Sequence, residues 1–308
     1  ILQATRGSVK ASKNFNATTD AEVLYKAMKG LGTNEDAILE LLVGRNNVQR
    51  QDIKIAFKTL FGTDLVDKLK GELGGKFETL IVGLMTAPLA YDVSMLRNAI
   101  KGAGTDEKVL VEILASRTPQ QVKDIVSAYR KEYDDDLEED ISGDTSGHFK
   151  RLLVILLQVN LLSFYPRLLF FPLSLSPSSL IETFCLLRGT SRLGSIFDAY
   201  MKLSGYEMEE SIKKETSGGL RDLLLAVVKC ARSVPAYFAE TLYYAMKGLG
   251  TDDNTLIRAM VTRSEVDLLD IRTEFRKLFA CSLHSMIKGD TGGDYGKALL
   301  LLCGGDDA

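Results

Sequence analysis

Met28-Lys29-Gly30-Leu31-Gly32-Thr33 returns in this chain as Ile100-Lys101-Gly102-Ala103-Gly104-Thr105 and again as Met246-Lys247-Gly248-Leu249-Gly250-Thr251. Forty positions after the second glycine of each copy stands an acid: Glu72, Asp144 or Asp290. A single Gly-x-Gly-Thr reads as a turn between two helices, with glycine ending the first and threonine capping the second. Such a turn has no need of a carboxylate at a fixed distance. Three copies with one offset therefore mark a built site, repeated along the chain.

The acids Glu72, Asp144, Glu215 and Asp290 lie 72, 71 and 75 residues apart, and each opens a turn of small residues. Five residues after each acid comes Phe77, Phe149, Leu220 or Tyr295, and fifteen before it Phe57, Tyr129, Tyr200 or Phe275. Repeats therefore run over 14–86, 87–158, 159–233 and 234–308, after a short arm at 1–13. Apolar residues recur at three- and four-residue spacing from Ala37 to Val43 and from Val109 to Ala115, which predicts helices. Leu80-Ile81-Val82, Leu152–Leu157, Leu223–Val228 and Leu299–Leu302 predict helices buried on most sides, where repeats pack together. No alternation of period two is sustained, so the fold class is all-α.

The third repeat is aberrant over 161–190 and lacks the Gly-x-Gly-Thr loop. Leu161–Leu180 is Leu, Phe, Ser and Pro except for Tyr165 and Arg167, and Pro166, Pro172 and Pro177 forbid a continuous helix there. Prolines and serines also interrupt it too often for a membrane span. These are residues of pyrimidine-rich codons, which points to a translated splice-acceptor tract or a frameshift. Sequencing the transcript across this junction tests that origin, and a matching exon in related transcripts would overturn it.

Composition narrows the function. The 308 residues are 45% hydrophobic and 26% charged, with net charge −3, and carry no electrostatic footprint for nucleic acid. An acidic protein is repelled by anionic membranes unless something bridges the two. Ile1–Arg6 shows no charged and apolar secretory pattern, and Cys185, Cys230, Cys281 and Cys303 have no paired or metal-type spacing. The expectation is a cytoplasmic protein with reduced cysteines.

In the first loop, Gly30 and Gly32 permit a tight turn that aims the carbonyls of Met28, Gly30 and Gly32 at one point. With Glu72 these are hard oxygen donors, the kind calcium collects in sets of about six to eight. Three carbonyls and one bidentate acid leave coordination places open. A phosphate oxygen can fill one, so Ca2+ would join an acidic protein to an anionic lipid. With one carboxylate each site is weak, and several on one face add through effective concentration.

Lys-Gly-x-Gly-Thr with its distant acid, in four repeats of about seventy residues, resembles the annexin family. Pro235–Tyr244 and the tail Leu299–Asp307 strengthen the likeness, which covers 1–160 and 181–308. The resemblance implies a curved disc of four five-helix repeats that binds anionic phospholipid, phosphatidylserine included, through calcium on its convex face. It implies a first site of Met28, Gly30, Gly32 and Glu72, with Thr33 and Glu35 as a minor position. The second site would be Ile100, Gly102, Gly104 and Asp144, and the fourth Met246, Gly248, Gly250 and Asp290. Glu215 has lost its loop, so three sites are expected rather than four. The family also implies membrane association with calcium present, at the cytoplasmic or the extracellular surface. Lateral self-assembly and anticoagulant and phospholipase-inhibiting activity are implied in the same way.

Asp92, Glu112, Arg117, Arg258 and Arg263 match charged positions of a family channel, with Met95 where an acid is usual. Arg45, Arg117 and Arg263 each follow the second glycine by thirteen residues, which reads as a structural arginine bonded to helix-end carbonyls. A calcium channel and a helical-repeat scaffold are the alternative functions. A scaffold leaves the spaced acids unexplained. Catalysis is not expected: Asp290-Thr291-Gly292 lacks the second loop of an aspartic protease, and His148 and His284 have no nucleophile beside them. Asp134–Asp140 reads as a solvated acidic helix face.

Overall fold

The computed structural model describes residues 5–30, 32–102, 104–158, 197, 200–202 and 204–306. The altered segment 161–190, Cys185, Leu31 and Ala103 lie outside the described residues. Regular structure among the described residues is all helical.

The first repeat contributes α1 (Ala17–Ala27), α2 (Glu35–Val43), α3 (Asn47–Phe61), α4 (Leu65–Glu72) and α5 (Gly75–Met85). The second contributes α6 (Pro88–Ile100), α7 (Glu107–Ser116), α8 (Pro119–Tyr133), α9 (Leu137–Asp144) and α10 (Gly147–Leu157). After them come α11 (Met208–Glu215) and α12 (Gly218–Arg232). The last repeat contributes α13 (Val234–Met246), α14 (Asp253–Arg263), α15 (Leu268–Phe279), α16 (Leu283–Asp290) and α17 (Gly293–Cys303).

Caps set these boundaries. The side chains of Asn16, Asn34, Asp106 and Asp252 each accept an N–H from the first turn of the helix they precede. Asn46 with Gln49 and Thr118 with Gln121 form reciprocal capping boxes at α3 and α8. Ten residues before each acid the chain turns left-handed, at Gly62, Asp134, Gly205 and Ala280. Two of these four positions therefore carry a Cβ where glycine is favoured.

The chain divides into two compact units, Ile1–Pro88 with Phe238–Ala308, and Leu89–Tyr237. The first unit joins the first and last repeats. Here α1 packs on α3, α2 on α17, and α5 on both α14 and α17, enclosing Leu24, Ile38, Phe57, Leu80, Ile257 and Phe275. In the second unit α7 and α10 pack on α12 around Leu110, Tyr129, Leu152 and Leu223. The aromatics Phe57, Tyr129 and Phe275, fifteen residues before their acids, are fully buried.

A second packing position escaped the sequence reading. Seven residues before the second loop glycine stand Tyr25, Arg97 and Tyr243. Tyr25 stacks on Phe61 at 4.0 Å and Tyr243 on Phe279 at 3.8 Å. In the second repeat Arg97 lies over the ring of Tyr133 at 4.6 Å and holds Asp135 at 2.6 Å and Asp140 at 2.8 Å. This corrects the expectation for Asp134–Asp140. Asp134 ends α8, Asp136 caps α9, and Asp135 and Asp140 neutralise Arg97, so much of the acidic run is structural.

The recurrent arginines are corrected in the same sense. Arg45 donates bidentately to Asp20 (2.6 and 3.0 Å), Arg117 to Asp92 (2.7 and 2.8 Å) and Arg263 to Asp267 (2.8 and 2.6 Å). Carboxylates, rather than helix-end carbonyls, are their main partners. A planar guanidinium fits a carboxylate with two parallel bonds, which a lone carbonyl cannot offer.

Candidate functional site: three glycine loops and their acids

The first loop leaves α1 at Met28, passes through Gly30 (φ +128°) and Gly32 (φ +93°), and reaches the Asn34 cap of α2. The Asn34 N–H reaches back to the Ala27 carbonyl at 2.9 Å, closing the turn. The fourth loop repeats this path: Gly248 has φ +123°, Gly250 φ +88°, and the Asp252 N–H donates to Ala245 O at 2.7 Å. These angles lie where a side chain is strained, which accounts for glycine at both places.

Each loop meets its acid through threonine. Thr33 Oγ1 donates to Glu72 Oε2 at 2.6 Å, and Thr251 Oγ1 to Asp290 Oδ2 at 2.5 Å. Glu72 and Asp290 are the last residues of α4 and α16, so the offset of forty becomes direct contact. Glu35 follows in the first turn of α2, half-buried beside Glu72 in one surface cavity of about 490 Å³.

The second loop departs from the other two. Gly104 has φ +106°, but Gly102 is outside the left-handed region and its N–H donates to the Ile100 carbonyl at 3.2 Å. Thr105 Oγ1 donates to the backbone oxygen of Asp144 at 3.2 Å, so the carboxylate is left out of the contact. The lysines differ too. Lys29 and Lys247 lie over Tyr25 and Tyr243 at 5.5 and 5.2 Å, whereas Lys101 leans toward Asp135 at 3.5 Å. With Arg97 in place of the tyrosine there is no ring for Lys101 to cover.

The acid of the third repeat is also in place. Glu215 ends α11, and Gly218 (φ +60°) starts the next helix as Gly75 (φ +58°), Gly147 (φ +61°) and Gly293 (φ +60°) do after the other acids. Its expected loop position falls outside the described residues.

The donors fit a hard divalent cation. No group of three or more His, Cys, Asp or Glu side chains suited to a metal exists among the described residues. What the structure sets together is a glycine loop and a single carboxylate; backbone carbonyls with one acid are the oxygen set calcium prefers and soft metals do not. Around the fourth site, burial first and then Asp253 and Asp290 push the Tyr295 phenol well above its ordinary range. It therefore stays protonated and puts no further charge near Asp290.

Periodicity carries no signal for Leu249, because it sits between helices. It stands fully exposed at the tip of the fourth loop. Cys281 is a free thiol, and no helix among the described residues is long and apolar enough to cross a membrane. His148 is exposed, and His284 faces Asp306 at 3.4 Å.

Comparison with known proteins gives matches along the chain. The annexin family pattern matches residues 19–84, 91–156, 178–227 and 237–302. Annexin A5 of Gallus gallus is 60% identical over 320 residues, covering 100% of both chains. The structure of chicken annexin V superimposes with a TM-score of 0.90 at 57% identity, covering 98% of this chain and 100% of that one. A calcium-bound annexin (Sm)1 gives a TM-score of 0.82 at 32% identity, covering 98% and 94%.

Proposed function

This chain belongs to the annexin family, and on that premise we propose that it binds anionic phospholipid surfaces through calcium held in its glycine loops. The observation that carries the reading is the pair of hydrogen bonds, Thr33 to Glu72 and Thr251 to Asp290, that set each loop on its distant acid. The calcium-bound relative supports the same ion for this chain.

The first site is Met28, Gly30 and Gly32 carbonyls with the Glu72 carboxylate, and the fourth is Met246, Gly248 and Gly250 with Asp290. The second is Ile100, Gly102 and Gly104 with Asp144. Thr33 and Glu35 offer a minor position beside the first site. Calcium bound there supplies open coordination places that a lipid phosphate oxygen can take.

The residues do the rest. The Thr33 and Thr251 hydroxyls hold one oxygen of their acids against the loop. Leu249 enters the apolar edge of the headgroup region, and Lys29 and Lys247 add positive charge beside the lipid. The second loop must free the Ile100 carbonyl from the Gly102 N–H before that carbonyl is fully available, so it is the weakest of the three. The repeats are 14–86, 87–158, 159–233 and 234–308 behind the arm at 1–13. Phosphatidylserine is the proposed lipid, with peripheral association from the cytoplasm. Covering such a surface, with lateral self-assembly on it, would deny lipid to clotting factors and phospholipases.

Cosedimentation with phosphatidylserine vesicles tests the reading. The protein should pellet with vesicles in calcium and return to the supernatant in chelator. Binding that survives chelation would overturn the bridge.

A further inference from the structure

We propose that the first and fourth loops are coupled by reciprocal cross-ties, Lys76 to Asp253 and Lys297 to Asp36, each joining one loop to the acid turn of the other. The inference rests on the reading that these loops hold calcium.

Both ties lie within the unit that contains the first and last repeats. Lys76 stands in the first turn of α5, four residues after Glu72, and pairs with Asp253. Asp253 is the first residue of α14, three beyond Gly250 of the fourth loop. In the other direction, Lys297 of α17, seven residues after Asp290, pairs with Asp36 at 2.9 Å and with Asp294 at 2.9 Å. Asp36 lies in the first turn of α2, four residues beyond Gly32 of the first loop. Together with Thr33–Glu72 and Thr251–Asp290, the ties close a ring: loop one, acid turn one, loop four, acid turn four.

The two ties are unequal. Lys297 and Asp36 are both well exposed, and such pairs contribute little. The Asp253 side chain is only 14% exposed, and beside Lys76 the Tyr295 hydroxyl is its other close polar neighbour. An under-solvated carboxylate depends on the cation beside it, so Lys76 is the stronger link. Moving Glu72 toward a metal displaces the turn that leads into α5. The displacement reaches Asp253, and the exit of the fourth loop, through Lys76.

The second unit has the contact without the tie. Gly219 stands four residues after Glu215, where Lys76 stands after Glu72. A Cβ at Gly219 would come within 2.3 Å of Glu107 Oε2, in the helix that follows the second loop. The approach is as close, but glycine has no charge to pair, so no tie of this kind runs from that position.

Calcium titration calorimetry on the full chain tests the coupling. In a chain carrying Glu72→Gln and Asp144→Asn only the fourth loop keeps its acid. There Lys76→Met should weaken calcium binding about fivefold. This is opposite to what removing a positive charge does to a cation site by charge alone. Lys76→Arg should retain the affinity, and melting in chelator should show both variants folded. In the Asp144→Asn chain, Glu72→Gln should weaken the fourth site when Lys76 is present and leave it unchanged when Lys76→Met is added. An unchanged or tighter fourth site in Lys76→Met would overturn the coupling. Absence of calcium binding in the parent chain would instead overturn the site reading, and the coupling with it.

Discussion

At the scale of single residues, each proposed site has one carboxylate, and its loss cannot be shared. Glu72→Gln or Asp290→Asn should raise the calcium needed for half-maximal vesicle binding by about tenfold or more, measured by cosedimentation across a calcium series. Glu215→Gln should leave that midpoint unchanged. A large effect at Glu215 would show that the third repeat holds a working loop. The threonines act one step back. Thr33→Val removes a single hydrogen bond to a charged group, worth about 1.5 kcal/mol, and should shift the first site by roughly tenfold at most.

At the scale of elements, backbone angles separate positions that look alike in sequence. Gly30→Ala places a Cβ at φ +128° and should cost about 1–2 kcal/mol in melting experiments without calcium. Gly102→Ala meets nothing closer than Gly104 O at 3.7 Å, and outside the left-handed region it should be nearly neutral. The same argument runs in reverse at the end of α15, where Ala280 sits at φ +56°. Ala280→Gly should stabilise the unit by about 1 kcal/mol, read as a rise of a few degrees in Tm.

The α6–α8–α9 contact has a pH signature. The buried Tyr129 hydroxyl donates to Asp140 at 2.5 Å, and burial, then that carboxylate, push its phenol up to about 12. A phenol raised above its unfolded value of about 10 stabilises the fold fully below pH 10. The stabilisation is lost as pH climbs from about 10 to 12, so Tm should fall across that window. Tyr129→Phe should remove the titration while keeping the ring buried, and an unchanged Tm slope in that variant would refute the assignment.

At the scale of the whole molecule, weak sites act together. In the proposed reading, three loops with one carboxylate each gain through local concentration at a lipid membrane. Combining Glu72→Gln with Asp290→Asn should therefore depress vesicle binding by more than the product of the single effects, because the survivor is the second loop. That loop starts with Ile100 O engaged by the Gly102 N–H and with Thr105 on the Asp144 backbone oxygen in place of its carboxylate. Additive losses would show that the second loop is as competent as the others.

The sequence by itself determined the repeat, the helical class and the pairing of each loop with its acid. The reason is local chemistry: glycine and threonine fill backbone roles few residues can, and fixed spacing repeats with the helices. It also showed Glu215 as an acid without its loop. Only the tertiary structure decided that the first and last repeats share a unit, so that Lys76 reaches Asp253 across most of the chain length. It alone separated the second loop from its two look-alikes, because Arg97 in place of a stacked tyrosine redirects Lys101 and recruits the acids after α8. Those outcomes depend on which side chains meet in space, and periodicity along a chain carries no record of that.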